Sequence, residues 1–187
     1  VRPSQDAPRP ELTIEVWESD RYLKLPDIAP VRNGDQVRIT AKIPPGRHYA
    51  LFALGSEGVF QELTHGSASD ASTIVRYPPE IGQAVPLVGP PGTELVVVCG
   101  SPGAPLPVAA LQAAWGSPPT LPPLPDLSVL RADLAGVSVE QRGRDFGRPT
   151  DRPDPESLVH ERLAVLSRAL RNQVEFFEAV AFAKVDR

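Results

Sequence analysis

The stretch LVGPPGTELVVVCG, residues 87–100, decides between two folds. Its GPPGT matches the start of a phosphate-binding loop. In such loops backbone N–H groups at a helix N-terminus hold the phosphates, a Lys neutralises them and a Ser or Thr hydroxyl holds Mg²⁺. The loop must continue as Gly-Lys-Ser/Thr and then as a helix. Here Thr93 is followed by Glu94, Leu95, Val96, Val97 and Val98. A carboxylate at this point repels phosphate, and a β-branched run reads as a strand. The order is loop then strand, so the segment is expected to be a stiff turn feeding a buried strand, with Pro fixing φ and Gly supplying positive φ. No nucleotide is expected at Gly89–Thr93.

Working outward from that strand, the N-terminal half shows the same grammar. LTIEVW, residues 12–17, places Leu12, Ile14 and Val16 on one face and polar neighbours on the other, the period-2 signature of a half-buried strand. A short strand follows through Tyr22 to Leu25, and Asn33-Gly34-Asp35 makes a turn. Val37, Ile39, Ala41 and Ile43 then alternate with Gln36, Arg38, Thr40 and Lys42 until Pro44-Pro45-Gly46 ends the run. HYALFAL, residues 48–54, the turn Gly55-Ser56-Glu57-Gly58 and VFQEL, residues 59–63, form a hairpin. A flexible loop is expected from His65 to Ala71, then short strands at 72–77 and 81–87.

Beyond Leu106 the chain changes character. Leu106 to Trp115 reads as a short helix ended by Gly116, and SPPTLPPLP, residues 117–125, as a polyproline-like spacer strapped across the core. Asp126 is expected to cap a second short helix through Leu134, and Gly136 to precede a strand at Val137–Glu140. Residues 143–155 are an irregular charged loop ending at a marked helix start, with Asp154 as N-cap and Pro155 at the first helical position. Val159, Leu163, Leu166 and Leu170 give that helix one apolar face. VEFFEAVAFAKV, residues 174–185, reads as a closing strand, with continuation of the helix the alternative that periodicity leaves open.

The resulting expectation is a β-rich α+β protein: an antiparallel β-sandwich or barrel of short strands with two or three helices, the longest in the C-terminal third. Residues 1–10 form a linker or disordered tail, and 11–187 a single β-rich domain, with 11–105 as sandwich core and 106–187 as a helical and strand extension packing on it. Proline usage points the same way. The chain has 23 prolines in 187 residues, roughly twice the ~5% average, so its elements are short and its connections stiff.

Charge and composition exclude several functions. A net charge of -4 offers no basic field to a phosphate backbone, which argues against nucleic acid. No apolar run approaches the ~20 residues that cross a bilayer, and no signal segment opens the chain, so a cytoplasmic location without membrane contact is expected. The absence of Met, even at position 1, suggests a piece excised from a longer product. Cys99 is the only cysteine and follows four apolar residues, so it is expected to be a buried inert thiol. His48, His65 and His160 are too dispersed for a metal site, and no cofactor is implied. Ser56 in GSEG imitates a nucleophile elbow, but a strand follows where that motif needs a helix. The polar candidates that remain are Arg144, Asp145, Asp151 and Arg152, with Arg148, in the charged loop.

VRNGDQVRITAKIPPGRHYALFALGSEG and VPLVGPPGTELVVVCGSPGAPLP resemble a bacterial domain of unknown function that trails serine/threonine protein kinases and caspase-like effector proteins. The positions that carry the likeness are Gly34-Asp35 with Val37 and Arg38, Tyr49 to Leu54 with Gly58, and Pro91-Gly92-Thr93-Glu94. It spans about residues 11–105 and is less diagnostic beyond. The resemblance implies a β-sandwich accessory module without catalytic residues, partnered by other domains of its parent polypeptide or by a separate protein. Two alternatives stand beside it. One is a small hydrolase using Asp145 and Asp151 with a histidine such as His65; the other is a carbohydrate-binding sandwich using Trp17, Tyr22, Tyr77 or Trp115 as stacking platforms.

Overall fold

Before the C-terminal third, stiff turns chop the chain into short segments, and most of these pair as strands. The computed structural model describes residues 9–116, 120–125, 128–141 and 155–186. Its elements run β1 (Glu11–Glu18), β2 (Arg21–Lys24), α1 (Leu25–Ile28), β3 (Val31–Arg32), β4 (Gln36–Ile43), β5 (His48–Leu54), β6 (Phe60–Ser67), β7 (Thr73–Tyr77) and β8 (Val85–Pro86). Then come β9 (Gly92–Ser101), α2 (Val108–Trp115), β10 (Val129–Asp133), β11 (Val137–Gln141), α3 (Pro155–Leu170) and β12 (Phe176–Val185).

They build two sheets and a helical layer. The first sheet has the order β2-β1-β4-β7, with β8 also on β4; the second has the order β11-β10-β12-β9-β5-β6. Every pairing is antiparallel except that of β3, which lies parallel to the end of β12. Between the sheets sit Leu12, Ile14, Val37, Ile39 and Ile43 from one side and Val96, Val98, Val180 and Phe182 from the other. The reverse face of the second sheet packs Leu95, Val97, Phe52 and Phe177 against Leu111, Leu163 and Leu166 of α2 and α3. This second sheet is therefore covered on both faces. That is why β5, β9 and β12 read as near-continuous apolar runs while β1 and β4, covered on one face, alternate.

Three expectations change. The segment after Asp126 is not a helix where it is described: Val129–Asp133 is strand β10. It pairs with β11 on one side and β12 on the other, and those ladders outweigh its weak local helix preference. His65 lies in β6, which runs on to Ser67, because β5 continues opposite it through His48. Only Val85–Pro86 of the 81–87 segment is strand. Of the segment 174–185, Phe176–Val185 is strand β12, buried at both parities between β9 and β10.

Gly100 shows how tightly that centre is packed. A Cβ there would lie 2.2 Å from Phe176 Cζ and 2.4 Å from the backbone oxygen of His48. Among the described residues no helix is long and apolar enough to cross a membrane.

Candidate functional site

The strand β12 carries Phe176, Glu178, Val180, Phe182 and Lys184 on one parity, and three of these apolar residues belong to the inter-sheet core. By strand periodicity the two charged residues point the same way. Opposite Phe182 in the ladder is Glu94, and opposite Lys184 is Gly92, so Lys184 and Glu94 are diagonal neighbours on one face. Their Nζ and Oε1 atoms are 2.5 Å apart, with side chains only 1% and 8% exposed. Lys184 Nζ also donates to the carbonyl of Val88 at 3.1 Å. Ser56 donates its backbone N–H to Glu94 Oε1 at 3.4 Å and its hydroxyl to the carbonyl of Pro90 at 2.8 Å.

The GPPGT loop is thereby explained. Glu94 is the counter-ion of a lysine ninety positions downstream, which reaches back over the loop from the last strand. A Cβ on Gly92 would fall 2.6 Å from Ser56 Cβ, and one on Gly89, whose φ is 114°, would fall 3.2 Å from Lys184 Nζ. Glycine is needed at both because the hairpin turn and the lysine press on the loop. The Thr93 hydroxyl donates to the carbonyl of Pro122 at 2.6 Å and accepts from Leu124 N at 2.9 Å. It pins the proline connector, whose Leu121 and Leu124 are buried in the helical-side core.

Beside the ion pair the sheets part. A cavity of about 480 Å³ opens between them, lined by Ile14, Ile39, Leu63, Tyr77, Val96 and Phe182 and closed at one end by Lys184 and Glu94. Val59 and Val88 stand at its rim 64% and 68% exposed. The volume is within the ~300–1,000 Å³ range of small-ligand pockets.

Glu178 occupies a second charged position of the inter-sheet face. Its Oε2 accepts from Leu12 N at 2.9 Å and its Oε1 from Arg131 at 2.6 Å, while Arg131 also reaches Glu140 at 2.8 Å and the carbonyl of Leu12 at 2.8 Å. Burial pushes the Glu178 carboxyl above the usual carboxylate range, opposed by Arg131 and the Leu12 hydrogen bond. The network borders a cleft of about 310 Å³ and ties β1 to the second sheet. Both carboxylates are engaged by one guanidinium, an arrangement that fastens the strands together.

The candidates drawn from sequence fare differently. Arg144, Asp145, Asp151 and Arg152, with Arg148, lie outside the described residues. His65 is exposed on β6 and bonded to Glu62 at 2.6 Å; His48 opens β5 and His160 is exposed on α3. No group of three metal-ligating side chains occurs among the described residues. Cys99 is fully buried, and that burial pushes its thiol up to about 12. The aromatic platforms are mostly occupied. Trp115 is buried against Phe60, the Arg38 guanidinium covers the Tyr22 ring at 3.5 Å, and Trp17 meets Tyr22 edge-on. Sequence reasoning missed Glu94 and Lys184 as partners. The available signal was a charge at an inward parity of each of two apolar strands.

No family model matches this chain, and neither a curated protein nor a solved structure is detectably similar to it.

Proposed function

We propose that this chain is a non-catalytic accessory module for sensing or protein interaction, working within a larger bacterial signalling or effector polypeptide. The single observation that carries the reading is the open groove between the sheets, whose apolar walls and exposed Val59 and Val88 rim are suited to contact and whose charged end is committed to an internal ion pair. Binding needs a concave apolar surface with a few placed polar groups. Catalysis needs in addition a nucleophile or base within reach of a reacting atom. The sequence likeness to kinase-trailing domains supports the same reading.

The buried thiol makes a direct test practical. Val88→Cys can carry an environment-sensitive dye as the one accessible thiol. Its emission should change when the accompanying domains of the parent polypeptide, or the module's ligand, are added. Generic ester, phosphate and glycoside substrates should not be turned over. Turnover abolished by Asp145→Asn would overturn the reading in favour of a small hydrolase.

A further inference from the structure

The groove has a chemical preference written at its closed end. Glu94 spends Oε1 on Lys184 and Ser56, its Oε2 makes no hydrogen bond or ion pair among the described residues, and the carboxylate lines the cavity. Lys184 spends two of its three protons, on Glu94 and on Val88 O. The position nearest Oε2 belongs to Gly55, which also lines the cavity; a Cβ there would sit 3.6 Å from that oxygen. Lacking a side chain, Gly55 leaves the oxygen open to the groove.

Charge settles what can approach. The lysine and the carboxylate sum to zero, so a charged head group arriving at this end would be buried without a counter-ion, which is strongly unfavourable. A neutral group that donates a hydrogen bond meets an open carboxylate lone pair, and a bond to a charged acceptor is the stronger kind. The walls beyond, from Ile39 to Phe182, match an aliphatic chain.

Resting on the sensing reading above, we infer that the groove binds a single-chain amphiphile with a neutral hydrogen-bond-donating head, a primary amide or an alcohol, with the head on Glu94 Oε2 and the chain between the sheets. The ion pair with Lys184 fixes where the carboxylate points, so Lys184 is a positioning residue.

The test compares octanamide and octanol with octanoate and octylamine by calorimetry and by NMR shift mapping on the intact chain. The neutral pair should bind about tenfold or more tighter than octanoate, with shifts confined to groove residues. Gly55→Ala places a methyl in ordinary contact over Oε2 without changing the fold, and should erase that head-group preference while chain binding persists; an unchanged thermal midpoint would certify the fold. Leu63→Trp should abolish binding of all four. Equal binding of octanoate and octanamide would overturn the head assignment. So would binding only of an extended protein segment, or burial of the groove by a second copy seen in sedimentation, and either would leave the interaction reading standing. A groove that takes no octyl compound, no partner domain and no second copy would sink both.

Discussion

Removing the Lys184 ammonium while leaving Glu94 in place tests the centre of this account. In Lys184→Met the carboxylate keeps only one long hydrogen bond, from Ser56 N at 3.4 Å, in a site where it is 8% exposed. Breaking a buried pair by deleting one partner typically costs about 3–5 kcal/mol, because the remaining charge is left uncompensated. The lower end is expected here, about 3 kcal/mol, since the cavity gives Glu94 some access to water. With urea slopes of about 1–3 kcal/mol/M, the midpoint should fall on the order of 1–3 M, followed by tryptophan fluorescence with an unchanged slope. Lys184→Met combined with Glu94→Leu removes both charges and should return to within about 1 kcal/mol of the parent, because an apolar pair of similar volume replaces the ion pair without an orphan. A single-variant loss below about 1 kcal/mol would mean that the pair behaves like an exposed one. A double-variant loss equal to the sum of the singles would mean that the residues act independently. Either result would refute the reasoning.

Three further outcomes follow from the packing and the titration. Gly100→Ala forces a methyl into Phe176 and the His48 carbonyl at the middle of the second sheet, and should lower stability by about 3 kcal/mol or more, read from urea midpoints and soluble yield. Because burial raises the Glu178 carboxyl, the folded form holds that proton more tightly than the unfolded chain. The stability this confers is complete below the ordinary carboxylate range and is lost as pH rises through the raised folded value. The advantage of the parent over Glu178→Gln should therefore shrink as pH rises from the ordinary carboxylate range toward neutrality in urea titrations, and a growing advantage would show that attraction to Arg131 outweighs burial. Cys99, buried and with its thiol pushed up to about 12, should react with a thiol reagent at neutral pH only as fast as the chain unfolds. Rapid labelling of the native protein would contradict that placement.

The strands most legible in the sequence were those buried on one face. Alternation at 12–17 and 36–43, bounded by the Asn33-Gly34 turn and Pro44-Pro45, locates β1 and β4 because side chains along a strand must point to opposite faces. The start of α3 was equally legible, since Pro155 suits a first helical position and Val159, Leu163, Leu166 and Leu170 line one face. Doubly covered strands were harder. An apolar run such as 174–185 carries no period, and only its place between two partners makes it a strand. The site was the least legible part, because Glu94 and Lys184 look like isolated charges until β9 and β12 are laid side by side.

By itself, then, the sequence located the strands that alternate, the turns that bound them, the extended run at residues 94–99 and the interior place of Cys99. All of these follow from sterics and burial preferences acting within a few residues. The tertiary structure alone decided that β12 inserts between β9 and β10, that Val129–Asp133 extends instead of coiling, and that a carboxylate and an ammonium meet at the end of an apolar groove. Those outcomes depend on which faces are covered by distant segments, and no window of neighbouring residues contains that information.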